Sequence, residues 1–239
     1  MPEAKIPIIE IFGPTVQGEG PAAGQIVGFV RIGGCDYRCS WCDSMYAVDP
    51  KEVRANSEKL TAEEIVSDLP PCETVIISGG NPALIQGEGL IEEIHRSGRA
   101  AHIETQGSRW KEWLGSVDLL IVSPKPPSSG MAKKAEEEVP IFISEWQAAG
   151  EPCDLIIKIV VGDEEDLRWA LEMRRAIDPE RDIPFYLSAL TPPDCSLETL
   201  ADSFRNLCDL VLTDDDARAA RPVLLPQLHV LAWGHARGV

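Results

Sequence analysis

Three cysteines, Cys35, Cys39 and Cys42, stand within eight residues of one another. At the spacing C-x3-C-x2-C on a short loop, three thiolates can turn their sulfurs inward on one site. The count is informative: a [4Fe-4S] cubane normally takes four cysteines, so three leave one iron open to a small molecule. A structural zinc ion needs a closed set of four ligands, and no cysteine or histidine follows at a usual partner spacing. A reactive dithiol is the third reading. The remaining Cys72, Cys153, Cys195 and Cys208 are scattered and read as small structural side chains. Seven cysteines is an odd number, and the opening Met1-Pro2-Glu3-Ala4-Lys5 carries no export signal. A disulfide framework is therefore not expected, and the cytoplasm is the expected compartment.

The elements that position this loop can be read from hydrophobic periodicity. The run 26–32 predicts a strand leading straight into the cysteines, followed by a helix that starts at Thr61-Ala62-Glu63-Glu64, a capping box. Strands are then expected at 74–77, 101–104, 119–122, 155–161, 185–187 and 210–212, and helices at 90–96, 110–114, 164–177 and 197–207. Repeated strand-then-helix units imply parallel strands with right-handed crossovers. A full eightfold barrel takes about 250 residues. Here 239 residues also supply an N-terminal segment (6–25), the cysteine loop (33–46) and a C-terminal tail (222–239). The expected fold is α/β: an incomplete (β/α)6-type parallel barrel in one domain, 1–239.

Each strand is followed by a polar or glycine-rich signature. Gly33-Gly34-Cys35 follows the first, Ser78-Gly79-Gly80-Asn81-Pro82 the second, Glu104-Thr105-Gln106-Gly107 the third and Ser123-Pro124-Lys125-Pro126 the fourth. In parallel α/β folds ligands sit at that edge of the sheet, so these segments should converge.

The C-x3-C-x2-C loop with Trp41 before its last cysteine, and the Gly-Gly-x-Pro strand end, resemble the radical S-adenosylmethionine enzymes. The segments Glu10-Ile11-Phe12-Gly13-Pro14-Thr15-Val16-Gln17-Gly18-Glu19-Gly20, Cys42-Asp43-Ser44, Glu104-Thr105-Gln106-Gly107, Ser123-Pro124-Lys125 and Pro226-Gln227-Leu228-His229 together resemble, more narrowly, the 7-carboxy-7-deazaguanine synthase family. That resemblance runs from about residue 6 to Val239. It implies a ring contraction of 6-carboxy-5,6,7,8-tetrahydropterin to 7-carboxy-7-deazaguanine with loss of ammonia, on the route to queuosine and other 7-deazapurines. It also implies a [4Fe-4S] cluster on the three cysteines. One electron cleaves the bound S-adenosylmethionine to a hydrogen-abstracting 5′-deoxyadenosyl radical.

The same resemblance distributes roles. Trp41, Gly79, Gly80, Asn81, Pro82, Glu104, Ser123, Pro124, Lys125 and Ser188 are the implied contacts of S-adenosylmethionine, with Asn81 where relatives usually carry Glu. Lys158 joins them as a charge in an apolar strand that must be paired or face a polar interior. For the pterin, Gln17 and Glu19 suit amide-like edges, and the backbone of Val16 and Gly18 can complete the pattern. Arg31 can pair with the substrate carboxylate, and Ser78 can hydrogen-bond a ring atom. His229 and Val239 are implied substrate contacts at the closing tail. Ser44 matches a hydroxyl ligand for Mg2+, with Asp43 as the rival for direct ligation.

The net charge of −17 opposes binding to phosphate backbones or anionic lipid, so no nucleic-acid or membrane partner is expected. The acidic runs at 136–138, 163–166 and 214–216 are expected in loops or at helix starts. A homodimer and an external electron donor such as flavodoxin are implied by the resemblance. Two other functions compete: an activating enzyme that installs a glycyl radical on a partner protein, and a non-catalytic scaffold with a zinc-filled loop.

Overall fold

The computed structural model describes residues 4–180, 182–191 and 196–238. It begins with strand β1 (Ile6–Val16), which runs antiparallel to β2 (Ile26–Ile32). After the cysteine loop come helix α1 (Pro50–Asn56) and strand β3 (Glu58–Leu60), the latter antiparallel to β1. The alternation then proceeds through α2 (Ala62–Ser67), β4 (Thr74–Gly79), α3 (Glu88–Arg96), β5 (Ala100–Thr105) and β6 (Leu119–Val122). It continues with α4 (Ala132–Ala148), β7 (Asp154–Val161), α5 (Glu164–Ile177) and β8 (Phe185–Ala189). The chain closes with α6 (Leu197–Thr213), α7 (Asp215–Ala219), β9 (Val223–Leu225) and α8 (Leu228–Trp233).

The nine strands form one sheet in the order β3-β1-β2-β4-β5-β6-β7-β8-β9. From β2 through β4 to β9 every neighbouring pair is parallel. The edges β3 and β9 do not pair with each other, so the barrel is incomplete, as expected. The parallel strands read as near-continuous apolar runs because helices cover one face and the opposite face lines the interior. Val75, Ile76 and Ile77 of β4 are all fully buried. The capping box at α2 is formed: the Thr61 hydroxyl accepts from the Glu64 amide, and the Glu64 carboxylate accepts from the Thr61 amide.

Several expectations need correction. Residues 210–212 belong to α6, whose apolar face extends through Leu207 and Val211, and the last strand is β9 instead. Strand β1 was hidden by Pro7 and Gly13-Pro14, where its register against β2 is irregular. Glu136, Glu137 and Glu138 lie inside α4, which tolerates Pro140. That acidic run is partly used: Glu136 accepts a 2.6 Å hydrogen bond from the Trp169 indole. The runs at 163–166 and 214–216 do start helices, with Asp163 and Asp214 capping α5 and α7. Cys195 lies outside the described residues, and the six described cysteines are unpaired by disulfides. No helix among the described residues is long and apolar enough to cross a membrane.

Candidate active site

A cavity of about 280 Å³ opens at the C-terminal ends of the parallel strands. Its wall combines the segment after β1, the cysteine loop, the ends of β4 to β7 and the tail after α8. Of the residues singled out by sequence, Val16, Glu19, Arg31, Cys35, Cys39, Trp41, Cys42, Ser44, Ser78, Gly79, Gly80, Glu104, Ser123, Lys125, Lys158 and His229 face it. Gln17, Gly18, Asn81, Pro82, Pro124 and Ser188 stand behind that wall, and Val239 lies outside the described residues.

The three thiols are free and on the cavity wall. Burial pushes each of their pKa values up, Cys42 to about 11, so binding a metal there would displace protons. Cys35 Sγ accepts from the Tyr37 amide at 3.3 Å and from Gln106 Nε2 at 3.7 Å. The loop is clamped from outside by the segment before α4. The Ser40 amide donates to the Ser129 carbonyl and its hydroxyl to the Ser128 carbonyl. Trp41 Nε1 donates to Ser128 Oγ at 3.0 Å, and that hydroxyl donates to the fully buried Asp166 at 2.6 Å. Three unpaired sulfurs on one anchored loop have the donor chemistry of a cluster that takes three thiolates, although among the described residues no three His, Cys, Asp or Glu side chains are gathered as a preformed metal site.

The glycines of β4's end have a steric task. A Cβ on Gly80 would stand 2.0 Å from the Gly34 carbonyl oxygen, and one on Gly79 2.4 Å from that of Ile32. The Gly80 and Asn81 amides donate to the Ile32 and Gly34 carbonyls, tying the cysteine loop to β4. Asn81 sits deeper: its amide group donates to Asp36 and Ser108 and accepts from Thr105 and the Ala83 amide. It is a fastener between the cysteine loop and the end of β5, and its side chain does not face the cavity.

On the opposite wall Lys158, 2% exposed, reaches Glu19 and Glu104 together, the latter at 2.7 Å. Burial alone would raise the Glu19 pKa, but the Lys158 charge prevails and holds it at about 2. The opposing carboxylates likewise keep Lys158 charged despite its burial. Gln17 does not reach out; its side chain accepts from the Gly18 and Glu19 amides and shapes the loop that presents Glu19. Arg31 pairs with Glu10 at 2.6 Å and donates to Ser44 Oγ at 3.1 Å, and Ser44 donates to Asp43 at 2.8 Å.

Other residues of the wall have no role assigned from the sequence, although Gln106 and Gln227 lie within the segments that carry the resemblance. Gln227 Nε2 donates to Glu19 at 2.6 Å, and Arg237 lies 3.7 Å above the Tyr46 ring while donating to Glu10. Gln106 and Asp36 pack behind Cys35, joined at 2.6 Å. Glu10 opens one of those segments, and its pairing with Arg31 follows from the register of β1 against β2. In β8 and just after it, the buried hydroxyls of Ser188 and Thr191 find no hydrogen-bond partner among the described residues, and Thr191 faces the cavity. Orphaned hydroxyls at the rim of a site fit a polar ligand that would satisfy them.

No protein-family model matches the chain. The 7-carboxy-7-deazaguanine synthases of Bacillus cereus and Bacillus subtilis are each 38% identical to it, over 99% and 98% of this chain and 100% and 98% of theirs. This chain belongs to the 7-carboxy-7-deazaguanine synthase family. A relative from Pyrobaculum aerophilum, with the same name, is 30% identical over 98% of this chain and 97% of its own. The crystal structure of QueE from Escherichia coli matches with a TM-score of 0.68 over 92% of both chains at 23% identity. That of Streptococcus suis SuiB bound to the precursor peptide SuiA matches with a TM-score of 0.54, over 87% of this chain and 54% of that one, at 13% identity. Both solved structures show the fold in common. Membership of the 7-carboxy-7-deazaguanine synthase family does not favour the glycyl-radical-activating or zinc-scaffold reading.

Proposed function

We propose that this cavity performs the ring contraction of 6-carboxy-5,6,7,8-tetrahydropterin to 7-carboxy-7-deazaguanine with loss of ammonia, a step toward queuosine and related 7-deazapurines. Cys35, Cys39 and Cys42 are the residues that would hold a [4Fe-4S] cluster. When bound, the cluster and S-adenosylmethionine supply one-electron cleavage and a radical able to abstract hydrogen. The rest is the work of this chain. The Gly79-Gly80 turn would face the methionyl group, and Glu104, Ser123, Lys125 and the Thr191 hydroxyl would flank the remainder of the cofactor. Glu19, kept ionised by Lys158, accepts from N–H groups of the pterin edge, while His229 and the tail cover it. Arg31 turns a guanidinium edge to the substrate carboxylate.

Ser44 and Asp43 supply the oxygen donors that Mg2+ takes, with waters and substrate completing its shell. An external one-electron donor such as flavodoxin and a homodimeric assembly complete the reading, in one cytoplasmic domain that makes a tRNA-base precursor without binding tRNA.

The observation that carries this reading is the convergence of three free thiols, a carboxylate fixed by a buried lysine and an arginine on one small cavity of a family member. The test is an anaerobic incubation of reconstituted protein with the carboxytetrahydropterin, S-adenosylmethionine, Mg2+ and a reductant. The deazapurine is expected, and Cys39→Ala is expected to abolish it. Turnover by Cys39→Ala would refute the mechanism.

A further inference from the structure

The buried lysine of β7 touches both halves of the cavity. Lys158 Nζ meets Glu19, on the loop after β1, and Glu104 Oε1, at the end of β5. Those three residues come from elements that do not neighbour one another in the sheet. Glu19 is also held through its other oxygen by Gln227 of the C-terminal region. Among the described residues, His229 is a further titratable neighbour that bears on Glu19, and it lines the same cavity. The ammonium is 2% exposed, whereas the Glu19 and Glu104 side chains are 16% and 23% exposed, so each carboxylate keeps an open side toward the cavity.

A lysine needed only to neutralise one buried acid would sit against that acid. This one is shared. Removing it would leave two carboxylates facing each other in a desolvated wall, where like charges repel strongly. With it in place, the position of either carboxylate sets where the ammonium lies, and the ammonium sets the other carboxylate.

We infer that Lys158 is a positioning residue that couples the two ligands: a pterin ordering Glu19 fixes the ammonium and thereby prearranges Glu104 for S-adenosylmethionine, and the reverse. This rests on the proposed assignment of Glu19 to the pterin side and Glu104 to the cofactor side. The ordering cost of the three side chains falls on whichever ligand binds first, which gives positive cooperativity without a change of fold. Linkage requires the effect to be equal in both directions.

The test uses reconstituted protein with its cluster oxidised and no reductant, so that S-adenosylmethionine is bound and not consumed. Its dissociation constant is measured by calorimetry with and without saturating carboxytetrahydropterin, and that of the pterin with and without S-adenosylmethionine. In the wild type each ligand is expected to tighten the other by about tenfold, within the usual range of site coupling. In Lys158→Met the factor is expected to fall to about one in both directions. A merely structural lysine would weaken each ligand alone and leave the ratio unchanged, so a retained factor overturns the inference, as do independent ligands in the wild type. Should Lys158→Met fail to fold, Glu104→Gln serves: it is expected to weaken the pterin although Glu104 lies on the cofactor side, and an unchanged pterin affinity overturns the coupling. Absence of the deazapurine from wild-type turnover would defeat the proposed function instead. Turnover with uncoupled ligands defeats only this inference.

Discussion

Gly18 lies directly beneath His229: a Cβ built on it would stand 2.1 Å from His229 Nδ1 and 2.7 Å from the His229 amide nitrogen. The Leu228 amide donates to the Gly18 carbonyl at the same junction. Two segments at opposite ends of the chain thus form one wall of the cavity, and Gln227 reaches Glu19 because they do.

Gly18→Ala should therefore act on ligand binding more than on folding. The clash is with backbone as well as with a ring, so α8 must back away from the loop. Overpacking of this kind costs about 1–3 kcal/mol. Spent on the docked position of the tail, that corresponds to a rise in KM for the pterin of about tenfold or more. The thermal midpoint should fall only slightly, since Val230 is the one residue of α8 that is buried. Steady-state kinetics of the reconstituted enzyme, set beside a melting curve, separates the two effects.

Acid should loosen the same wall. Glu19 falls from an ordinary 4.5 to about 2 in the folded chain because Lys158 outweighs the penalty of burial. A carboxylate whose folded value is depressed contributes stability in full above its unfolded value and loses it as pH falls toward the folded one. The melting temperature of the wild type should exceed that of Glu19→Gln by a constant margin above about pH 5, and the margin should shrink as pH drops from 4.5 toward 2. A margin independent of pH across that interval would mean that Glu19 is not ionised by Lys158.

Much of this was legible beforehand, for a physical reason. Strands β4 to β7 announce themselves as apolar runs because both faces are covered, and the residues that follow them must lie on one edge of a parallel sheet. The cysteine loop and the signatures after β4, β5 and β6 were therefore placed together from sequence alone. What escaped notice depended on contacts across the chain. Asn81 looked like a cavity residue by position, yet its side chain is consumed by Asp36, Ser108 and Thr105. Gln17 looked like a ligand contact and is spent on its own loop. Arg237 and Tyr46 carry no motif at all, since a cation over an aromatic ring separated by most of the sequence leaves no local trace. Helix α4 was obscured by Pro140 and by an acidic run whose partner, Trp169, lies on the next helix.

Asp166 should matter out of proportion to its distance from the cavity. Its carboxylate accepts from the Ser128 amide, the Ser128 hydroxyl and the Gly162 amide, all in a fully buried position. Asp166→Asn presents an NH2 group to at least one of those donors, leaving polar atoms unsatisfied at a cost of about 1–3 kcal/mol. Ser128 then no longer holds Trp41, and the cysteine loop is released on its outer side. The expected result is a lower melting temperature together with a change in tryptophan emission before global unfolding. A variant that melts lower with Trp41 unperturbed would confine Asp166 to a role in α5.

The sharpest test of how the loop is held is Gly80→Ala. The added methyl would meet the Gly34 carbonyl oxygen at 2.0 Å and the Ala47 carbonyl oxygen at 3.0 Å. Both are backbone atoms that cannot swing aside, and Gly34 lies immediately before Cys35. Relief requires the loop to lift from β4, which breaks the bonds from the Asn81 amide to Gly34 and from the Gly34 amide to Ala47. The three sulfurs are then no longer presented together. Iron and sulfide per chain after anaerobic reconstitution should fall well below the wild-type level, with the far-ultraviolet circular dichroism unchanged because the strands themselves are untouched. Gly89→Ala is the matched control: it lies in the first turn of α3 with nothing near the added methyl, and alanine is a better helix former than glycine, so this variant should be neutral or slightly stabilised with full iron. Full iron in Gly80→Ala would show that the close approach of β4's end to the loop is dispensable for assembling the site.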